Sequence, residues 1–202
     1  MRKLVVLSFV SLDGVMQAPG GPVEDTAGGF TQGGWSVGYW DDTLAQTMGE
    51  QMGGRYELLL GRRTYDIFAA AWPQIDASSP INSVRKYVAT HRALPAETDV
   101  WKNSVALGDD VAGAVRHLKA DEGPDLQVHG SSELIQVLLD ADLVDELWLK
   151  IYPVTLGAGK RLFGPGARAA GWAVAETKTA PSGVIVANYR RAGAVKTGSF
   201  AP

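Results

Sequence analysis

The chain has 202 residues, a net charge of −3, no cysteine, 46% hydrophobic residues and 20% charged ones. That length suits one domain with a core of its own, and the slightly acidic balance argues against a nucleic-acid partner. The absence of cysteine removes disulfides, thiol nucleophiles, iron–sulfur clusters and thiolate zinc sites, and the three scattered histidines, His91, His117 and His129, do not suggest a metal centre.

In chain order, Leu4 to Val10 reads as a buried first strand that ends at Ser11-Leu12-Asp13-Gly14. Arg2 and Lys3 before it imitate a signal peptide, but the apolar run is broken by Ser8 and no small-residue cleavage site follows. No stretch approaches the roughly 20 apolar residues of a membrane span. A cytoplasmic protein with no membrane partner is therefore expected. From Ala18 to Tyr39 the chain is rich in Gly and Pro, yet it carries Phe30, Trp35 and Tyr39, with Trp40 next. Loops of this length are uncommon inside a compact domain. A surface insertion and a lid both fit, although the aromatic residues need something to cover.

Asp41-Asp42 opens a helix with Leu44, Met48 and Met52 on one face. Leu58-Leu59-Leu60 is a short apolar run of the kind that suits a strand covered on both faces. It stops at Gly61-Arg62-Arg63-Thr64, and Tyr65, Phe68, Ala69 and Trp72 then follow helical spacing as far as Trp72-Pro73. Lys86 to Thr90 is the next strand, ending in Thr90-His91-Arg92. After a variable stretch containing Val100 and Trp101, Asp109-Asp110 starts a helix with Val111, Val115 and Leu118, which Gly123-Pro124 breaks. Leu126 to His129 is a strand, turned by Gly130-Ser131-Ser132 into a helix bearing Leu134, Val137, Leu138 and Ala141. A longer strand spans Val144 to Val154, and Trp172–Thr179 with Val184–Arg190 form a hairpin joined at Pro181-Ser182-Gly183. This alternation predicts an α/β fold with helices on both faces of a mostly parallel sheet and an antiparallel terminal hairpin. The expected domain is 1–191, followed by a flexible tail, 192–202.

Three strand ends share a character. Gly61-Arg62-Arg63-Thr64, Thr90-His91-Arg92 and Gly130-Ser131-Ser132 put small, hydroxylic or basic groups where open sheets bind ligands. A strand that delivers arginines to a helix N-terminus offers free N–H groups, a positive dipole end and bidentate forks to a phosphate. Solvated arginines at an ordinary junction are the alternative. No Gly-x-Gly-x-x-Gly follows the first strand, no Gly-x-Ser-x-Gly elbow exists, and Gly157-Ala158-Gly159-Lys160-Arg161 lacks the leading glycine and the hydroxyl of a phosphate loop. A cofactor that carries the chemistry asks for fewer reactive side chains than a side-chain nucleophile would.

The arrangement resembles the dihydrofolate reductase superfold, and within it the C-terminal reductase domain of the bifunctional deaminase-reductase of riboflavin synthesis and its stand-alone relatives. The matching pieces are Ser11-Leu12-Asp13-Gly14, Leu59 to Tyr65 with Trp72-Pro73, Val128-His129-Gly130-Ser131, Leu143 to Leu147, and Pro153-Val154-x-Leu156-Gly157-x-Gly159-x-x-Leu162-Phe163. The resemblance implies the three-layer fold of that superfamily and NADPH along the sheet edge. Gly61, Arg62, Arg63 and Thr64 would hold the adenosine-side phosphates, with Thr90 beside them, and Gly130, Ser131 and Ser132 the diphosphate; from the strand ends themselves, Arg62, Arg63, Thr90 and Arg92 could hold the further phosphate that distinguishes NADPH from NADH. It places Ser8, Phe9, Asp13 and Met16 by the nicotinamide and substrate, and makes the Trp35 loop the lid, with Trp35 at the substrate. His129 stands where the riboflavin enzymes carry a substrate-facing glutamate, and Ser131 replaces their second glycine. Asp13 and His129 are the candidate proton donors. Asp13 also reads as a turn former, and His129 as a hydrogen-bonded structural residue. The implied activity is NADPH-dependent reduction of a small heterocycle. A phosphoribosylaminopyrimidine is the best single substrate and a pterin the second, with a non-catalytic NADPH-binding protein as the alternative. A homodimer follows from the same likeness.

Overall fold

β1 (Leu4–Ser11) forms the middle of the molecule, every residue of it buried except the half-buried Phe9. The structure is a computed structural model that describes residues 1–94 and 101–200. The further strands are β2 (Tyr56–Gly61), β3 (Lys86–Ala89), β4 (Ser104–Ala106), β5 (Asp125–His129), β6 (Glu146–Tyr152), β7 (Trp172–Thr179) and β8 (Ile185–Arg191). The helices are α1 (Asp42–Met52), α2 (Arg62–Ile75), α3 (Val111–Ala120) and α4 (Ser132–Asp140). The strands make one sheet in the order β4-β3-β2-β5-β1-β6-β8-β7. Pairing is parallel from β4 to β6, while β8 runs antiparallel to both β6 and β7. This is the expected α/β fold, a mostly parallel sheet with an antiparallel C-terminal hairpin.

The leucine run of β2 shows why the sheet is covered twice. Successive side chains on a strand point to opposite faces. Leu59 joins one core with Leu4, Val6 and Val10 of β1, Val115 of α3 and Ile135 and Leu138 of α4. Leu58 and Leu60 join another, beneath Tyr65 and Phe68 of α2 and beside Trp101. On the remaining part of that second face, Leu44 of α1 packs with Tyr152 of β6 and Val184 and Val186 near β8. Helices therefore flank both sides, and the carboxyl ends of the parallel strands are left open.

Some boundaries differ from the expected ones. α2 passes through Pro73, which has no N–H to give the Ala69 carbonyl, and ends two residues later at Ile75. β6 is shorter than Val144–Val154 at both ends. β4 is an addition: three residues without an apolar run, held as an edge by β3. Its anchor is Lys86, whose fully buried ammonium donates to the carbonyls of Asn82, Val84 and Lys102 at 2.9, 2.9 and 3.0 Å and lies 4.3 Å from the Trp101 ring centre. Burial lowers its pKa to about 8. Val100 lies outside the described residues, as do the last two residues of the expected tail. At the start of that tail, Ala192 donates to Gly171 O, and Gly171 donates to Gly193 O, both at 2.8 Å. Among the described residues no helix is long and apolar enough to cross a membrane.

Candidate functional site

The carboxyl ends of β3, β2, β5 and β1 open onto a cleft of about 1290 Å³. It gathers the expected residues of four segments. Gly61, Arg62, Arg63 and Thr64 come from the β2–α2 junction, and Thr90 and Arg92 from the end of β3. Gly130, Ser131 and Ser132 come from the β5–α4 turn, and Ser8, Phe9 and Met16 from β1 and its exit. His129 lines its floor.

Two of these segments are stitched together. Gly130 has φ +66° and Ser131 φ +69°, a left-handed pair that glycine tolerates and serine adopts only when its surroundings hold it there. Here the Ser131 hydroxyl accepts the Gly61 N–H at 2.8 Å and donates to Thr64 Oγ1 at 2.7 Å. A Cβ on Gly61 would stand 2.9 Å from the Ser131 side chain, so β2 approaches this close only because residue 61 is glycine. The turn after β5 and the first turn of α2 thus form one rigid unit.

The helix ends divide into two kinds. At α1 and α3 an aspartate caps the N-terminus: Asp41 accepts from Leu44 N at 2.9 Å and Asp110 from Gly113 N at 2.8 Å. Neither α2, which begins after Gly61, nor α4, which begins after Ser131, has a side-chain cap. The first N–H groups of a helix have no partner within it. The two helix ends without caps are the two that face the cleft, and an anion placed there would meet their N–H groups and positive dipole ends. Arginine charge lies beside them. Arg62 Nε donates to both Asp66 oxygens at 2.9 and 3.0 Å, and its Nη1 to Ala93 O at 3.3 Å. Thr90, buried, accepts the Arg92 N–H on its hydroxyl at 3.1 Å and so shapes the turn after β3.

Asp25, in the loop after β1, carries the counter-charge. Its carboxylate lies 3.1 Å from the Arg63 guanidinium and 2.9 Å from Lys160 Nζ, and it accepts the Ala27 N–H at 3.0 Å. Burial pushes this carboxyl up, but Lys160, the Ala27 amide and Arg63 outweigh it and hold it below its ordinary pKa. Gln17 ties down the same loop through the carbonyls of Asp25 and Ala27, each at 3.0 Å. Sequence reasoning missed Asp25, Lys160 and Gln17, whose link joins segments far apart in the chain.

The two candidate proton donors are engaged elsewhere. Asp13 does not line the cleft. Its carboxylate accepts from Ser11 Oγ at 2.6 Å and from the amides of Leu156 and Gly157 at 3.1 and 2.8 Å. The Ser11 hydroxyl, then those amides, pull its pKa down to about 2 against the effect of burial. Asp13 is thus a clasp between the β1 exit and the loop after β6, the turn-forming reading. His129 Nε2 lies 2.9 Å from Gln127 Oε1, while Gln127 Nε2 donates to Gln51 O at 2.8 Å. This network assigns the histidine proton to Nε2 and leaves Nδ1 as an acceptor. Burial first, and the nearby Lys150 charge second, lower its pKa to about 3. Lys150, itself buried, donates to Gln51 Oε1, and burial followed by Lys178 brings it to about 7.

Trp35, the expected substrate contact, does not line the cleft. Its indole N–H donates to Gln17 O at 2.8 Å, and its ring stands edge-on to Tyr152 at 5.2 Å. A large aromatic with a polar handle is satisfied inside the loop rather than over a ligand. Trp40 takes the place at the cleft, half of it exposed at 49%.

The fold has relatives among solved structures. The putative riboflavin biosynthesis protein from Shewanella sp. PV-4 is similar with a TM-score of 0.72 and 18% identity, over 94% of this chain and 98% of that one. Dihydrofolate reductase from Enterococcus faecalis, complexed with NADP(H), is similar with a TM-score of 0.59 and 15% identity, over 94% and 96%. In sequence, the uncharacterized protein YyaP of Bacillus subtilis (strain 168) is 26% identical over 199 residues, 93% of this chain and 94% of that protein. The same core that builds the cleft, residues 2–186, matches the family model of the RibD C-terminal domain, and the chain belongs to that family.

Proposed function

We propose that this chain is an NADPH-dependent reductase acting on a small planar heterocycle or carbonyl compound. The observation that carries the reading is the pairing of the two uncapped helix N-termini, α2 and α4, in one cleft beside Arg62, Arg63 and Arg92. The residues present fit a dinucleotide phosphate. The α4 end with Gly130, Ser131 and Ser132 would take the diphosphate, and Arg62, Arg63, Thr64, Thr90 and Arg92 the phosphate that distinguishes NADPH from NADH. Family membership and the cofactor-bound dihydrofolate reductase with the same fold support this assignment.

NADPH, when bound, supplies two electrons and a hydrogen from its nicotinamide. Ser8, Phe9 and Met16, at the end of β1, provide the surface against which that ring and the acceptor are oriented. The Asp25 loop, tied to Arg63 and Lys160, lines the same cleft and would exclude water once a ligand is bound. A neutral His129 and a committed Asp13 make water the proton source. Titration with NADPH followed by tryptophan fluorescence, with absorbance of NADPH recorded over a panel of acceptors, tests the reading. Uptake with turnover is expected. Uptake without turnover would instead favour a non-catalytic NADPH-binding protein, a second reading favoured by the engagement of Asp13 and His129 elsewhere. The expected homodimer would use the outer edge of β7, whose one strand partner among the described residues is β8 and where Val174 is 61% exposed.

A further inference from the structure

We propose that the groove between α1 and α2, at the acceptor end of the cleft, takes an uncharged, planar, conjugated ring. This deepens the reductase reading above and rests on it. The groove is lined by Phe9 of β1, Trp40, Met48 and Met52 of α1, and Phe68 and Trp72 of α2. The rings form two groups: Phe9 lies 6.3 Å from Trp40, and Phe68 lies 6.2 Å from Trp72 and 6.3 Å from His129. Thioethers and aromatic faces favour flat, polarizable partners.

Charge is distributed in the opposite sense. Along α2 the charged lining residues are Arg62, Arg63 and Asp66, and from Ile67 onward every lining residue is apolar. α1 and β1 contribute no charged side chain to the lining, and Lys150 is not part of it. The titratable group in the groove floor, His129, is held neutral. Lys160, on the loop side and not on α1 or α2, shares the Asp25 carboxylate with Arg63, and Glu24 of the same loop also lines the cleft. An anionic substituent on the acceptor would lie among apolar groups with no cation to pair it, at a cost no contact here offsets. The arginines sit at the far end, at the helix termini assigned to the dinucleotide. A phosphoribosyl pyrimidine, expected from the family resemblance, would bring its phosphate into the uncharged half. A quinone or a heteroaromatic ring without phosphate or carboxylate fits that half. Reduction of a quinone there would take one hydride from NADPH and one proton from water, giving the hydroquinone and oxidised cofactor.

The test uses a matched pair of probes, 2-methyl-1,4-naphthoquinone and 1,4-naphthoquinone-2-sulfonate, on the full chain saturated with NADP⁺. Binding is read by quenching of tryptophan fluorescence. The neutral quinone is expected to bind at least roughly tenfold more tightly, the discrimination an unpaired charge in apolar surroundings should give. Met48→Lys, at a half-buried position of α1, should narrow or invert that ratio. Equal or tighter binding of the sulfonate to the unaltered protein, or no binding of the neutral probe at its solubility limit, overturns the inference while NADPH uptake leaves the reductase reading standing. Selective binding of the neutral probe without oxidation of NADPH supports the ligand class and overturns the reductase reading. Failure to take up NADPH overturns both.

Discussion

Asp25 and Arg63, 38 residues apart in sequence, meet at 3.1 Å where the loop after β1 faces the first turn of α2. The guanidinium assigned to a cofactor phosphate is thus already matched by a carboxylate from the loop. A phosphate arriving there must share or displace that partner, so loop position and cofactor binding are coupled through one ion pair. Asp25→Asn removes the competing charge but can still accept the Ala27 N–H. NADPH should then bind more tightly by about 0.5–1 kcal/mol, the scale of a partly exposed ion pair, with a steeper dependence on salt. Fluorescence titrations at two ionic strengths check this. Weaker binding would show that Asp25 matters mainly by holding the loop closed.

Replacing both Arg62 and Arg63 by alanine should weaken NADPH far more than NADH. Charge-assisted contacts to phosphate contribute about 1.5–3 kcal/mol each, although Arg62 already spends its Nε on Asp66. Calorimetry with the two cofactors side by side measures the difference. Equal losses would mean that the arginines do not grip the extra phosphate.

Ser131 separates two effects in one residue. Ser131→Ala keeps the unfavourable φ of +69° and loses both hydroxyl bonds. Ser131→Gly loses the same bonds but relieves the backbone, a gain of about 1 kcal/mol. Thermal unfolding should rank wild type first, Ser131→Gly second and Ser131→Ala last. The Gly61 N–H left without its acceptor is half-buried, so the alanine variant should lose about 1–3 kcal/mol. A reversed order of the two variants would show that the serine is not strained.

His129 makes stability depend on acid in a defined direction. Its folded pKa of about 3 lies below the ordinary value of 6.5, so between those limits the unfolded chain binds more protons. The contribution from this residue is complete above pH 6.5 and declines as pH falls toward 3. His129→Gln should flatten that part of the stability curve, measured by urea unfolding in steps of pH. Lys150, lowered to about 7 from 10.5, acts higher up: stability should rise as pH increases from 7 toward 10.5, and Lys150→Met should remove that rise.

What the sequence made legible follows from local physics. The leucines at 58–60 announce a strand covered on both faces, and the pairing of Gly61 with a helical apolar stripe announces a strand-to-helix turn. Both signals lie within one short window, and both are realised. The small, hydroxylic and basic groups at three strand ends converge because parallel strands must expose the same end. Asp25 was not legible, since a lone acid in a Gly- and Pro-rich loop has no period and finds its partner only through the fold. Trp35 was legible as an aromatic needing cover, but not which surface would supply it: Tyr152 of β6, rather than a ligand. The neutral state of His129 depends on burial and on the Lys150 charge, both brought about only by tertiary packing. β4 has too few residues to print any pattern at all, and it is held by backbone pairing along β3, just beyond the Lys102 carbonyl that Lys86 ties down.

The placement of β1 has a consequence for biosynthesis. The earliest strand of this sheet in sequence sits in its middle, and its two neighbours, β5 and β6, begin at Asp125 and Glu146. Until both have emerged, Leu4 to Val10 has nothing to pair with, and the nascent chain carries an apolar ribbon with two open edges. Such non-local pairing slows folding and lengthens exposure to other chains. The central strand of this sheet can be completed only once residue 152 has been made.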